Sequence, residues 1–332
     1  MKQKLLPTLL FGVTLLYTSC STLTKSQLAE INTYGQLTEK YAGYPGKFVL
    51  SINSVRMKQE LLSANSQLSA GDHFDKIKEA YDHKKANDKL GPKADLSFKI
   101  INKYAQALIL LSSDQHQKTV DTAVNNFGTS LDGLIEKYNT INSSDPLPKG
   151  IGATVSELLM FGAKQYVKSQ QAKKIKIFVN DADPMITKLT NNILVQLDGG
   201  LKASGGATFT FTNLIGRLRN DLRGNYIDFL GDRITTINKS TKPGKQEVTA
   251  YINYTPATLD DDKECVQLLS DLDHLDVMLA ELKAATVNIA KAHKKLLTEI
   301  NSPRSLKENA EEIQMLGDNI NSIKNSIQNI KK

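Results

Sequence analysis

The chain has 332 residues, of which 42 are lysine or arginine and 35 are aspartate or glutamate, giving a net charge of +7 at pH 7. That length allows one elongated domain or two compact ones, and the basic residues are too spread out to predict a nucleic-acid site. Tryptophan is absent and aromatic residues make up 6% of the chain, so a sugar-binding platform would depend on the 11 tyrosines.

The N-terminus has the layout of a secretory signal. Lys2 and Lys4 precede an apolar run over residues 5–16. Its length of about 12 residues is too short to span a bilayer and fits the core of a cleaved signal. The run leads through residues 17–19 to Cys20, so we predict that residues 1–19 are removed.

The segment ending at Cys20 resembles the signal of bacterial lipoproteins, whose cysteine is lipidated on sulfur, becomes the new N-terminus and is acylated there. Thr18 and Ser19 match the lipobox of that family, whereas Tyr17 stands where leucine is usual. The resemblance implies several acyl chains on Cys20, enough for stable membrane anchoring. The alternative is an ordinary signal peptide cut near Ser19, which leaves Cys20 as a free thiol.

The resemblance also implies a location. Ser21 follows the cysteine. In Gram-negative families an aspartate at that position favours the inner membrane, so serine favours the outer membrane, facing the periplasm. A lipid on Cys20 would leave Cys265 without a partner, and this hypothesis therefore predicts no intramolecular disulfide.

Proline and glycine separate a series of apolar-periodic stretches along the rest of the chain, which predicts an all-α fold of about ten helices. The predicted helices cover residues 24–43, 47–68, 72–90, 94–112, 113–141, 151–181, 184–203, 206–239, 258–301 and 303–331. Residues 239–257 are basic and then rich in β-formers. We favour a loop over the end of the bundle there, with a short extended segment or hairpin arm as the alternative.

Side chains suited to capping support two of these boundaries. Ser112 and Gln115 have the spacing of a capping box, which predicts a helix start at this point. Asp183 followed by Pro184 predicts an N-cap and a first-turn proline. We therefore expect one helix to end before Asp183 and another to begin there.

The strongest periodicity lies near the C-terminus, where apolar residues alternate steps of three and four, the a/d pattern of knobs-into-holes packing. The positions are Cys265, Leu268, Leu272, Leu275, Leu279, Leu282, Thr286, Ile289, His293, Leu296 and Ile300, then Ile313, Leu316, Ile320, Ile323, Ile327 and Ile330. A short turn at 301–303 predicts that the two helices fold back antiparallel. The expected fold is an elongated bundle ending in a long, coiled-coil-like hairpin.

The predicted organisation is therefore a lipidated tether over residues 20–27, a bundle over 28–238, the loop over 239–257 and the hairpin over 258–332. Residues 181–184 with Ile186, and Ala292-His293 with Leu296, are similar to patterns in uncharacterised bacterial lipoproteins with helical mature regions. That similarity implies no activity.

Three residues are candidates for binding. His293 interrupts the apolar seam and is either a pH-sensitive or ligand-contacting residue, or a hydrogen-bonded polar residue that sets helix register, which we favour. Arg219 and Arg223 share one helix face and are candidate contacts for a carboxylate or phosphate. Surface salt bridges are the preferred alternative for both arginines.

We predict no metal site and no cofactor. Asp271, Asp273, His274 and Asp276 form an acidic cluster, in which Asp271 and His274 share a helix face. Because Leu272 and Leu275 mark the buried stripe, we expect the cluster to face solvent. A basic stretch is interpreted in the same way, as an exposed helix face rather than a contact for anionic lipid. Its members are Lys164, Lys168, Lys173, Lys174 and Lys176.

The sequence contains no nucleophile elbow, Ser-x-x-Lys, His-Glu-x-x-His or P-loop signature. An enzyme is therefore the least favoured hypothesis. We predict a lipid-anchored helical scaffold or interaction protein of the cell envelope, with another envelope protein as partner and no nucleic acid. The alternative is a binding module that holds an envelope lipid, peptidoglycan or a small hydrophobic ligand between its helices.

Overall fold

The computed structural model describes residues 23–64, 69–88, 96–113, 121–164, 168–199, 201–202, 208–231, 234–242, 245–252, 256–300 and 309–330. Within these ranges the helices are α1 (Lys25–Ala42), α2 (Tyr44–Ala64), α3 (Ala70–Asp88), α4 (Leu96–Ser112), α5 (Asp121–Ile141), α6 (Ile151–Lys164), α7 (Lys168–Gly199), α8 (Phe211–Gly231), α9 (Pro256–Ile300) and α10 (Asn309–Ile330). The described strands are β1 (Leu201–Lys202), β2 (Thr208–Phe209), β3 (Ile234–Lys242) and β4 (Lys245–Ile252), paired as two antiparallel hairpins. The fold is thus a helical bundle, as predicted, with two small strand hairpins added.

Helices α1 and α2 follow each other along α9 and run antiparallel to it. The Tyr34 hydroxyl of α1 donates to the Ile289 carbonyl at 3.1 Å, and Lys58 of α2 pairs with Asp271 at 3.1 Å. Because later residues of α1–α2 meet earlier residues of α9, the start of α1 lies toward the C-terminal end of α9. Residues 25–64 extend over about 60 Å at 1.5 Å per residue.

Helices α9 and α10 form a C-terminal antiparallel hairpin, as predicted. Lys295 pairs with Glu312 at 2.6 Å, and the Asn288 amide donates to Asn319 at 2.8 Å, as an antiparallel arrangement requires. The leucine and isoleucine positions of the seam are buried between the helices and the rest of the bundle. They include Leu268, Leu272, Leu275, Leu279, Leu282, Ile289, Leu296, Leu316, Ile320, Ile323, Ile327 and Ile330.

A second antiparallel hairpin, α5–α6, brings two backbones into direct contact. A Cβ added to Gly128 would lie 2.0 Å from Ser156 Oγ and 2.3 Å from the Gly152 carbonyl oxygen. One turn along α5, the Asp132 carboxylate accepts the backbone N–H groups of Gly152 at 2.8 Å and Ala153 at 3.0 Å. Asp132 therefore caps the start of α6, and only glycine allows the helices to approach this closely.

Helix α7 corrects the prediction of a boundary at Asp183 and Pro184. One helix runs through both residues, so Asp183 is not an N-cap and Pro184 lies in a helix interior. Proline inside a helix costs about 3 kcal/mol. The side chains of Ala182 and Met185 on either side are fully buried, and their burial keeps the apolar face continuous through the proline.

The predicted loop over 239–257 is also wrong in part. Helix α8 ends at Gly231, and β3 then pairs with β4 in a register that runs from Ile234 opposite Ile252 to Lys239 opposite Glu247. The alternative of an extended segment is therefore the correct one. The β-formers after residue 247 are the second strand, whereas the first strand falls where the end of a helix was predicted.

Other predictions concern residues near or beyond the described ranges. Ser112 ends α4, where its hydroxyl donates to the Leu108 carbonyl at 2.7 Å, so it does not start the next helix. Its predicted capping partner Gln115, the signal over 1–19 and Cys20 lie outside the described residues. Among the described helices, none combines the length and the apolar character needed to cross a membrane.

Candidate functional site

The most distinctive feature of the core is a set of polar side chains from four helices, which we call the polar layer. It consists of Tyr34 on α1, Tyr104 on α4, Asp183 on α7 and His293 on α9. The two tyrosines and the histidine are at most 2% exposed. Buried polar groups destabilise a fold unless they find hydrogen-bond partners, so the contacts within the layer decide what it does.

Tyr104 and His293 make the central contact. The Tyr104 hydroxyl lies 2.7 Å from His293 Nδ1, and the two rings meet edge to face with centroids 5.6 Å apart. Tyr104 also stacks on Phe178 of α7, at a centroid distance of 5.5 Å. The Tyr34 hydroxyl donates to the backbone of α9, as described above. These contacts fix α1, α4 and α7 relative to one turn of α9.

Asp183 connects the layer to solvent. Its Oδ1 lies 3.3 Å from His293 Nε2, and its side chain is 23% exposed where the histidine side chain is 2% exposed. The two atoms are buried and lack the alignment of a hydrogen bond. Lys294, exposed on the adjacent position of α9, lies 3.9 Å from the other carboxylate oxygen. The aspartate is thus shared between a buried imidazole and a surface ammonium.

Burial sets the protonation of the layer. Desolvation lowers the pKa of His293 to about 4, against a smaller opposing effect of the Asp183 carboxylate. Burial also holds the pKa of Tyr104 well above its ordinary value. At neutral pH the layer therefore contains a neutral imidazole and a protonated phenol. A neutral imidazole carries a single N–H, so the tautomer decides whether the phenol or Nδ1–H is the donor between Tyr104 and His293.

The arrangement fixes helices and does not present a reactive group to solvent. Because the His293 ring is fully enclosed, a solute cannot touch it in this conformation. The hydrogen bond with Tyr104 commits Nδ1 of His293 to α4, so a shift of α9 by one residue would break that bond and move Nε2 away from Asp183. This geometry supports the interpretation of His293 as a residue that sets helix register.

The two candidate arginines are not brought together around a ligand. Arg219 Nη2 lies 2.8 Å from Asp273 and 3.0 Å from Asp276, both on α9. Its guanidinium is therefore occupied by two carboxylates of the same chain. Arg223 is exposed one turn further along α8.

The acidic cluster of α9 differs from its prediction at one position. Asp271 is fully buried, where it pairs with Lys58 and accepts a hydrogen bond from Gln267 at 2.8 Å. The expectation that it faces solvent is wrong because α2 packs against this side of α9. His274 is partly exposed, and within the described ranges no group of three or more His, Cys, Asp or Glu residues could hold a metal ion.

The basic stretch of α7 is exposed only in part. Lys173 and Lys176 face solvent, but Lys174 is 8% exposed, and its burial lowers the pKa of its ammonium group. Lys174 follows the buried Gln171 by one helical turn, which explains why the prediction fails there. The side chains of Lys164 and Lys168 lie outside the described part of the chain.

Cys265 is a half-buried thiol near the start of α9. Burial, with a smaller effect of Asp262, raises the pKa of this thiol. A raised pKa keeps the sulfur protonated and therefore unreactive. The residue behaves as part of the packing, as its place on the seam predicts.

Sequence reasoning identifies one member of the polar layer as a candidate and misses its partners. Tyr34 and Tyr104 fall on apolar helix faces, where a tyrosine is read simply as core. Buried tyrosines commonly need a partner for the hydroxyl, and that is the signal that points from Tyr104 toward the odd polar residue in the seam, His293. The sequence around Asp183 suits a helix N-cap, so it gives no sign that this residue lies beside His293.

Comparison with known proteins adds no relative: no family model, no curated protein and no solved structure matches the chain. The fold and the polar layer therefore define the molecule at the level of class, as an α-helical bundle protein with a C-terminal helical hairpin.

Proposed function

We propose that this chain is a lipid-anchored scaffold of the bacterial cell envelope that binds another envelope protein through its helix surfaces. The observation that carries the proposal is the lipobox-like sequence Thr18-Ser19-Cys20 at the end of an apolar run too short to span a membrane. Two or more acyl chains on one cysteine give stable anchoring. The proposed site of attachment is the outer membrane, on its periplasmic side.

The start of the bundle is consistent with a tethered protein. Helix α1 begins at Lys25, five residues after Cys20 in the sequence, behind a capping box formed by Thr24 and Gln27. A tether this short would keep the end of the bundle near the lipid, at a reach of at most about 3.5 Å per residue. The α1–α2 pair then extends about 60 Å from that point.

Two features support a role in binding a protein. The polar layer holds four helices in one register, which favours a defined surface over an adaptable one. In addition, α9 exposes Leu259, Val266 and Val277 at 53%, 65% and 42%, and their spacing places them on one face. We call these three residues the α9 stripe. An exposed apolar stripe on a long helix is a typical contact for a partner helix.

The anchoring part of the proposal is tested by metabolic labelling with radioactive palmitate in a bacterial host. We expect label in the wild-type chain and in Cys265→Ala, and none in Cys20→Ala. Cys265→Ala is the matched control because Cys265 is the second of the chain's two cysteines. Cys20→Ala should also leave the membrane fraction, and a variant that stays labelled or fully membrane-bound would contradict the proposal.

The interaction part is tested by photo-crosslinking in intact cells. A photoreactive amino acid at Val266, in the α9 stripe, should give a discrete adduct with a protein. The same probe at Lys173, exposed on α7, serves as the control and should give none. If neither position yields a protein adduct, the scaffold proposal is wrong.

A further inference from the structure

Helix α3 carries a second exposed apolar surface. One side of α3 packs on α2, with Ala80 buried and the His73 ring bonded to a carbonyl at the end of α2 at 2.8 Å. Phe74, Ile77 and Tyr81 remain 64%, 37% and 55% exposed. Their spacing of three and four residues places them on one face, which we call the α3 stripe. It presents two aromatic rings to solvent, where the α9 stripe presents only aliphatic side chains.

The charges around the α3 stripe are segregated. At 100° per residue, Lys78, Lys84 and Lys85 lie within about 65° of the stripe. Asp88, the last residue of α3, lies at the angle of the stripe itself, two turns beyond Tyr81. The other four carboxylates of the helix lie more than about 100° away. They are Asp72, Asp75, Glu79 and Asp82. Lys78 pairs with Asp82, one turn further along α3, at 2.9 Å. An exposed ion pair of this kind contributes little to stability, so the lysine can exchange this partner for another anion.

The α9 stripe has the opposite surroundings. Asp273, 76% exposed, falls between Val266 and Val277 on the same face, and Asp262 lies within about 55° of it. Lys263, also on this side, pairs with Asp260 at 2.9 Å. The α9 stripe is thus flanked by ion pairs of Asp273 with Arg219 and of Asp260 with Lys263, and it attracts an anionic surface less than the α3 stripe does.

We propose that the α3 stripe docks on an anionic lipid surface. Phe74, Ile77 and Tyr81 would enter the headgroup region, while Lys78 and Lys85 would approach lipid phosphates along one edge of the stripe. This is the chemistry of an interfacial helix, in which aromatic and aliphatic side chains supply burial and lysines supply attraction to anionic lipid. The lysine stems can lie along the apolar stripe while their ammonium groups reach the headgroups.

The proposal deepens the proposed function, because the membrane concerned is the one that holds the Cys20 lipid. The tether precedes α1, and α3 packs near the far end of α2, about 60 Å away along the α1–α2 pair. Contact at both ends lays the bundle along the membrane surface. The α9 stripe, with its acidic surroundings, is then left for the protein partner.

The test uses the absence of tryptophan from the chain, which makes a single introduced tryptophan a clean reporter. Phe74→Trp places it on the α3 stripe and Val266→Trp places it on the α9 stripe as the matched control. Each mature, lipidated protein is reconstituted into vesicles of phosphatidylglycerol and brominated phosphatidylcholine. We expect blue-shifted, bromine-quenched emission from Trp at the first position and unquenched emission at the second.

Lipid charge and lysine charge are then varied separately. Vesicles without phosphatidylglycerol should abolish the quenching in Phe74→Trp. Adding Lys78→Gln and Lys85→Gln to that variant should lower the ratio of docked to undocked protein by about ten-fold or more, at about 1 kcal/mol for each lysine near the surface. Circular dichroism checks that each variant keeps its helical content.

Each remaining outcome overturns the proposal. No quenching at position 74, equal quenching at position 266, or quenching that ignores lipid charge would exclude docking on anionic lipid. A blue shift that depends on protein concentration without vesicles would mean that a second copy covers the stripe. If the mass of the N-terminal peptide shows no lipid on Cys20, the proposed function fails. The same vesicles added to that unlipidated protein then still test the α3 stripe.

Discussion

Two antiparallel helical hairpins of this bundle, α9–α10 and α5–α6, are built in different ways. The α9–α10 hairpin spreads its contacts over a dozen buried leucine and isoleucine positions. The α5–α6 hairpin adds to its buried apolar side chains one close approach, where the Gly128 and Gly152 backbones touch and Asp132 caps α6. The first arrangement tolerates small local changes because each contact is a modest fraction of the total. The second is sensitive at one position, because the addition of a single methyl group at the glycine contact would force the two helices apart.

The largest effect should come from Gly128→Ala. The new Cβ would meet Ser156 Oγ at 2.0 Å and the Gly152 carbonyl at 2.3 Å, and neither helix backbone can give way without moving the other. We expect the free energy of unfolding to fall by more than about 3 kcal/mol. Chemical denaturation followed by circular dichroism measures it.

Gly133→Ala on the same helix is the matched control, because a Cβ there has no atom within 4 Å. Alanine favours a helix interior over glycine, so this variant should gain about 0.5–1 kcal/mol. Equal losses in the two variants would mean that the close approach of α5 and α6 is not what makes Gly128 necessary.

The corresponding change in the other hairpin is Ile323→Ala on α10. Ile323 is fully buried in the seam, so its truncation removes apolar contacts and leaves a cavity. We expect a loss of about 3 kcal/mol in the free energy of unfolding. Met315→Ala on the same helix, where the side chain is 46% exposed, should change it by less than about 0.5 kcal/mol. A loss at Met315 as large as at Ile323 would contradict the seam.

The α9–α10 hairpin should also respond to acid through His293. Its pKa is about 4 in the folded chain, whereas an unfolded histidine titrates near 6.5. Between pH 6.5 and pH 4 the imidazole of His293 is protonated in the unfolded state but not in the folded state. The free energy of unfolding therefore falls as the pH is lowered through this range. The expected loss is about 2–3 kcal/mol, and it is absent above pH 6.5.

Thermal unfolding of wild type and His293→Gln across pH 4 to 7.5 isolates this contribution, since the other titrating groups are shared. The variant should be less stable at pH 7.5 by about 1–2 kcal/mol, because the contact with Tyr104 is weakened. Its disadvantage should shrink as the pH falls. Parallel curves for the two proteins would show that the histidine is not held neutral.

The smallest predicted effect concerns the cap in the α5–α6 hairpin. Asp132→Ala removes the acceptor for two backbone N–H groups at the start of α6 and should cost about 1 kcal/mol. Glu136→Ala, exposed one turn along α5, should be neutral within about 0.5 kcal/mol. If both changes are neutral, solvent satisfies these groups as well as the carboxylate does.

The two hairpins also differ in how far the sequence predicts them. The seam of α9 and α10 follows from periodicity alone, because each helix repeats the same local pattern over many turns. The contact of Gly128 with Gly152 leaves no such pattern, since two glycines signal only flexibility when each is read in its own segment. Pro184 shows the same limit, because a local rule for helix starts is outweighed by burial that only the tertiary fold provides.

The polar layer likewise has one member that the sequence predicts and partners that it does not. His293 stands out in the sequence because it is the wrong kind of residue for an apolar seam. Its partners Tyr104 and Asp183 are 189 and 110 positions away in the sequence. Neither carries a local signal of the contact, so the candidate residue is predictable from sequence and its chemistry is not.

The hydrogen bond between Tyr34 and Ile289 joins residues 255 positions apart. Helix α1 packs first of all on α4, and its contacts with α9 form only after most of the chain has been made. The closure of such a long loop is slow, because its entropy cost must be met before the contacts that stabilise the closed state can form. The polar layer that joins α1, α4, α7 and α9 is therefore completed only when α9, which begins at Pro256, has left the ribosome, so this part of the bundle would stay incomplete during the early part of the proposed export.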